Sequence, residues 1–239
     1  MTGPLILHIE TATDICSVAL SEGDRQLSLV ESGQERSHAS LLNSFIRQAL
    51  EQAGLGFKDL QGLAVSKGPG SYTGLRIGVS TAKGLAYALE IPLLASGTLV
   101  NMASGSVSNK EVAKLIAAHG NNLLLCPLLD ARRMEVYSGF YTIKNKAFRE
   151  VSADIIDKES YRSILDSYQV CFFGNGADKC KAMLDHPNAH FIDGINPSAS
   201  SMISPVLEKF KKMAFEDVAY FEPFYLKNFI ATVPRKKVL

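Results

Sequence analysis

Apolar residues recur along this chain in two styles. Runs such as LILHIE (5–10), LAVS (63–66), IPLLAS (91–96) and LLLCPLL (123–129) are almost continuously apolar, the pattern of strands covered on both faces. ICSVALSEG (15–23) reads as the second arm of a hairpin around the polar turn TATD, and QLSLVESG (26–33) as a third strand. SHASLLNSFIRQALEQAG (37–54) is periodic at helical spacing, with Leu41, Leu42, Phe45, Ile46, Ala49, Leu50 and Ala53 on one stripe. Ser37 suits its N-cap and Gly54 its C-terminal stop. A strand over 62–66, a glycine-rich turn, a helix over about 74–89 and a strand at 91–96 complete a unit.

The unit then begins again. LLLCPLLDARRMEVYSGFYTI (123–143) repeats a buried strand ending in an acid, a tight polar turn and a returning strand, so Glu10 and Asp130 take equivalent places. YQVCFFGNGADKCKAML (168–184) repeats the order strand, glycine turn, helix. This recurrence predicts an α/β protein of two related subdomains. The first covers 1–100 and is rejoined by the C-terminal segment 219–239; the second covers 101–218. Residues 101–122 read as a helix-bearing connection, 195–215 as a loop feeding a helix, and EPFYLKNFIAT (222–232) as an apolar segment docked on the body.

Charge adds little to this picture. The 239 residues carry 25 basic and 24 acidic side chains, so no global field draws the chain to nucleic acid or an anionic membrane. The one local bias is PRKKVL (234–239), which reads first as a solvated terminus. No apolar run approaches the ~20 residues of a membrane span. The start lacks a basic stretch and carries Glu10 early, unlike a signal peptide. Cys16, Cys126, Cys171 and Cys180 form no CxxC pair and point to buried free thiols in a reducing cytoplasm.

Candidate chemistry centres on KGPGSYTGLRIG (67–78). It is no Walker loop, and Gly68, Gly70 and Gly74 miss the dinucleotide spacing by one. Backbone N–H groups before a helix start, with Ser71 and Thr73, suit an anion; a tight turn needing close backbone approach explains the glycines equally well. The strand-end acids Glu10, followed by Thr11, and Asp130 form a candidate metal–nucleotide cleft, although no glycine follows Glu10. Gly74, Gly78, Ala82 and Ala86 share one helix face of very small side chains, to be covered by the chain itself or by a second subunit. His38 lacks an i+4 partner because Leu42 stands there, and His8, His119, His186 and His190 are scattered, so no metal centre is expected. No Ser–His–Asp motif is present either.

LILHIETATDICSVAL, SKGPGSYTGLRIGVSTAKGLA, PLLDARRMEVY and EPFYLKN, in that order and spacing, resemble the TsaB (YeaZ) family over nearly the whole chain. The resemblance implies the duplicated actin-like fold, ribonuclease H-like in each half, that sugar kinases and heat-shock chaperone ATPases share. It implies a non-catalytic subunit of the bacterial machinery that makes N6-threonylcarbamoyladenosine at position 37 of tRNAs decoding ANN codons. The implied partners are the catalytic paralogue TsaD, the ATPase subunit TsaE, tRNA through the assembled complex, and a second copy when TsaD is absent. TsaD carries metal-binding histidines in the helix equivalent to 37–54; Leu42 departs from that pattern and supports a scaffold role.

The implied contact uses the first subdomain's helices, through His38, Leu41, Leu42, Phe45, Tyr72, Gly74, Leu75, Gly78, Ala82 and Ala86. No cofactor is required of this chain, with ATP or ADP compatible at a subunit interface. Two other readings stay open: an ATP-using phosphotransferase built on Glu10, Asp130 and the turns at 68–74 and 174–176, and a metalloprotease-like hydrolase. The residue after Glu10 counts against the first, and the missing HxxxH against the second.

Overall fold

The structure is a computed structural model that describes residues 3–32 and 38–226. The proposed cap at Ser37, the basic tail 234–239 and the part of 222–232 beyond Leu226 lie outside the described residues.

The first half is a five-stranded sheet of order β3-β2-β1-β4-β5. Strands β1 (Leu5–Glu10), β2 (Cys16–Glu22) and β3 (Arg25–Ser32) form an antiparallel meander. Strands β4 (Gly62–Ser66) and β5 (Leu93–Ser96) continue from β1 in parallel. Parallel neighbours need crossovers, supplied by α1 (His38–Gln52) and α2 (Tyr72–Leu89). Both helices cover one face of the sheet, where Leu42, Ile46, Val79 and Ala82 pack on Leu7, Ile9, Val18 and Val65.

The connection forms two helices, α3 (Thr98–Ser106) and α4 (Lys110–His119). The second half then repeats the first strand for strand: β6 (Leu123–Asp130), β7 (Glu135–Thr142), β8 (Ala147–Ile155), β9 (Gln169–Phe173) and β10 (Ala189–Ile192). Its order, β8-β7-β6-β9-β10, again combines an antiparallel meander with two parallel strands. The identical order in both sheets is the duplicated actin-like arrangement expected from the repeat.

One expected element is missing. The run after the second glycine turn forms a 3₁₀ turn over Asp178–Cys180 and no α-helix. Pro187 and β10 come too soon for a helix to propagate, and Cys180 and Leu184 reach the core without one. The other crossover element of this half, α5 (Arg162–Leu165), is a single turn.

After β10 the chain returns to the first sheet. A 3₁₀ turn (Ala199–Met202) and α6 (Ile203–Lys211) lie on the face opposite α1 and α2, with Met202 and Val206 against Ile6, Ala64 and Leu94. A polar seam ties this layer down. Ser17 donates to Glu31 at 2.6 Å, Ser198 donates to Glu31 at 2.5 Å, and the Ala199 N–H donates to Ser17 at 2.9 Å.

Candidate functional site

Glu10 ends β1 completely buried, and its Oε1 accepts the Ala12 N–H at 2.7 Å. That bond shapes the turn over residues 11–14, onto which the glycine-rich stretch packs. Ala12 O accepts the Ser71 N–H at 2.6 Å, and Thr11 Oγ1 donates to Gly74 O at 2.8 Å. His38 Nε2 lies 2.6 Å from Thr13 O, so α1 grips the same turn. A Cβ on Gly70 would sit 2.3 Å from Ala12 O, one on Gly74 2.1 Å from Thr11 O, and one on Gly78 2.2 Å from Thr11 Oγ1. Of the two explanations for these glycines, close backbone approach is the one the geometry supports. Ser71 is the N-cap of α2, accepting the Gly74 N–H at 3.3 Å.

Burial pushes the Glu10 carboxyl up to about 7, against the pull of the Ala12 N–H and the Ser66 hydroxyl. Its Oε2 is buried without a hydrogen-bond partner. Burial likewise pushes His8, two residues earlier on the same strand, down to about 3, so its imidazole is neutral. The four cysteines are free and buried, and burial raises every one of their thiol pKa values, which keeps them unreactive.

Asp130 repeats the arrangement of Glu10 in the second half. Its Oδ1 accepts the N–H two residues on, from Arg132, at 2.9 Å. Gly174 and Gly176 stand where Gly68 and Gly70 stand, and Gly68 and Gly174 share a left-handed backbone with φ of 107° and 103°. Asp130, however, is exposed and paired with Lys179, whose ammonium also donates to Arg133 O and Glu135 O, both at 2.7 Å. Partial burial tends to raise the Asp130 pKa, but Lys179 and the Arg132 N–H outweigh it and hold the carboxyl below its ordinary value. No sequence pattern marks Lys179; a lone lysine bonded to two carbonyls leaves no periodic trace.

A cleft of about 560 Å³ opens between the two turns. Gly70, Ser71, Thr73 and Asp130 line it, together with Asp14, Arg132 and Asn175; Glu10, Thr11 and Gly68 do not. The donor set does not fit a metal–nucleotide. One expected carboxylate is sealed beneath the turn, the other is held by Lys179, and the space at Gly70 is filled by Ala12 O. Among the described residues no group of three or more His, Cys, Asp or Glu is gathered for a metal.

The face of α2 expected to meet a partner is turned inward. Gly74 and Gly78 pack on Thr11, and Leu75, Ala82 and Ala86 are at most 1% exposed within the chain. Leu42 and Phe45 of α1 are core residues too. Smallness at these positions serves close packing inside the subunit. Of the ten expected contact residues, His38, Leu41 and Tyr72 alone are even partly exposed. The outward faces are instead Ala39, Asn43 and Arg47 on α1, and Thr73, Ser80, Gly84 and Tyr87 on α2.

A duplicated α/β fold with a cleft between its two glycine turns, and with a strand-end acid beside each turn engaged within the chain, defines the class. A family model for TsaD, tRNA N6-adenosine threonylcarbamoyltransferase, matches residues 30–234. The tRNA threonylcarbamoyladenosine biosynthesis protein TsaB of Escherichia coli is 28% identical over 95% of this chain and 96% of its own length. The protein of the same name from Bacillus subtilis is 33% identical over 62% of this chain, which spans 60% of that relative. The solved structure of YeaZ from Pseudomonas aeruginosa matches 93% of this chain and 100% of its own with a TM-score of 0.78 at 25% identity. The chain belongs to this TsaD-related family, on its TsaB/YeaZ side.

Proposed function

We propose that this chain is the non-catalytic subunit of the machinery that places a threonylcarbamoyl group on adenosine 37 of tRNA. The observation that carries the reading is the internal use of both strand-end acids, Glu10 by the Ala12 N–H and Asp130 by Lys179, in a chain whose relatives are named for threonylcarbamoyladenosine biosynthesis. A phosphotransferase would need those carboxylates free in the cleft. In this reading the chain pairs with the TsaD-type subunit through the outward faces of α1 and α2, where the exposed stripe carries few charges. The TsaE-type ATPase and tRNA join the assembled pair, any ATP or ADP lies at a subunit boundary, and the setting is the cytoplasm.

Reconstitution of tRNA modification tests this. With the TsaD-type and TsaE-type subunits of the same genome, ATP, and threonylcarbamoyl-AMP as the donor, omission of this chain is expected to abolish threonylcarbamoyladenosine formation. Asp130→Asn, which leaves Lys179 its two carbonyl partners, is expected to retain it. Loss of modification by a folded, pair-forming Asp130→Asn protein would overturn the non-catalytic assignment.

A further inference from the structure

Between α6 and the last described residue, the chain runs across α2 as a strap, residues 213–226. It is fixed at several points. The Glu216 N–H donates to Leu93 O at 2.8 Å, the Phe221 side chain enters the first core, and the Phe224 N–H donates to Lys67 O at 2.7 Å. Lys83 of α2 donates to Ala219 O at 3.1 Å and Phe221 O at 2.9 Å, on either side of Tyr220. Asp217 Oδ1 accepts the N–H groups of Ala219 and Tyr220. At the cleft end Tyr225 packs on Tyr72 at a 40° tilt, with ring centroids 4.9 Å apart, and accepts from Arg76.

This fastened segment holds large apolar side chains out in water. Tyr220 is 84% exposed, Met213 75% and Phe215 39%, and Tyr87, one turn beyond Lys83 on α2, is 80% exposed. A frayed end would expose such groups by accident, whereas here the backbone on both sides of Tyr220 is bonded down. Exposed aromatics on a preorganised backbone lose little conformational entropy when covered, which is the profile of interface anchors. The strap carries Glu216, Asp217 and Glu222 and no cation. Arg76 and Lys83 beside it are engaged by the strap itself. Because those two cations are bonded to a hydroxyl and to carbonyls they keep their charge, and three carboxylates against them leave the rim weakly acidic, which suits a cationic protein surface better than RNA or anionic lipid.

We infer that the 213–226 strap and Tyr87 form a docking surface for a basic, apolar-bearing patch on the TsaD-type subunit. The inference rests on the pairing proposed above and extends it: α1 lies over β2 and β3, α2 over β4, and the strap bonds β5 at the far edge and Lys83 of α2, so the three follow one another across the sheet. The partner would set arginine or lysine against the strap's carboxylates and bury the two tyrosines.

Titration calorimetry against the purified TsaD-type subunit of the same genome decides it. Tyr87→Ser with Tyr220→Ser, both at exposed side chains, is expected to weaken Kd by about tenfold or more. Glu216→Lys with Glu222→Lys is expected to weaken it as well, with the deficit shrinking at high salt. Ser80→Arg on the outward face of α2 reports on the underlying pairing. If Ser80→Arg abolishes binding while the tyrosine pair stays within about twofold of wild type, the strap is no part of the interface. If the wild-type chain does not bind at all, the pairing itself fails and the inference with it. If the tyrosine variant instead turns a dimer of this chain into monomer without affecting the TsaD-type subunit, the occupant is a second copy and the assignment is overturned.

Discussion

Glu10 and Asp130 stand at the same place in two copies of one design, each ending a central strand and each accepting the N–H two residues on. Their surroundings differ because the two glycine turns lead into different elements. The first turn opens an 18-residue helix that lays Gly74 and Gly78 on Thr11 and seals Glu10 from water. The second opens only a 3₁₀ turn, Asp130 stays exposed, and Lys179 neutralises it across the hairpin. A duplicated fold can therefore accommodate a strand-end acid in two ways, by burying it beneath a helix or by pairing it at the surface. The first way links the acid to the stability of the whole half, and the second hardly does.

The glycines give the largest test of that contrast. Gly70→Ala would drive a Cβ to 2.3 Å from Ala12 O, a backbone atom held by its own hydrogen bond. Gly176→Ala in the second half meets the backbone less closely, Leu129 C at 2.9 Å and Asp130 N at 3.0 Å, so the strand must give by less than the turn does at Gly70. Urea denaturation is expected to show a loss of about 3–4 kcal/mol for Gly70→Ala and about 1–2 kcal/mol for Gly176→Ala. Equal losses would mean that the turn over 11–14 is no more constrained than its counterpart.

Next in size is the proton on Glu10. The folded state holds this carboxyl at about 7 against an ordinary 4.5, so at this site the folded protein keeps a proton that the unfolded chain releases between those limits. The associated stability is fully present below the unfolded value and is lost as pH rises through the folded one. The shift corresponds to roughly 3 kcal/mol between acid and neutral pH. Glu10→Gln keeps an oxygen for the Ala12 N–H and cannot ionise, which removes this contribution and leaves that of buried His8, of opposite sign, so stability over this window should rise with pH more steeply in Glu10→Gln than in the wild type. A wild-type slope persisting in Glu10→Gln would place the titrating group elsewhere.

Much of this contrast is legible in the amino-acid sequence. The duplicated strand order, the equivalence of Glu10 and Asp130 and the free buried cysteines can be deduced from the alternation of apolar runs and polar turns. The features that escape such a reading are tertiary. Periodicity says that Gly74, Gly78, Ala82 and Ala86 share a face, but not what covers it, and the cover is Thr11 with the core of the same half. Lys83 and Lys179 act by bonding distant carbonyls, which fixes no spacing in the sequence. The strap over 213–226 has neither helical nor alternating pattern, because separate anchors and not a repeating backbone hold it.

The smallest effect is expected at Asp130. Its pKa lies below the ordinary 3.8 because Lys179 and the Arg132 N–H outweigh the cost of partial burial. The stabilisation is therefore present above that ordinary value and lost as pH falls below it, the opposite sense to Glu10. With the carboxyl about half exposed, solvent screening limits the pair to at most about 1 kcal/mol. Asp130→Asn should cost no more than that at neutral pH, and less at high salt. It also keeps an oxygen for the Arg132 N–H, whose left-handed backbone (φ 73°) the turn must hold. A loss approaching that of Gly70→Ala would show that the surface pair holds the second hairpin together as firmly as burial holds the first, and the contrast between the halves would collapse.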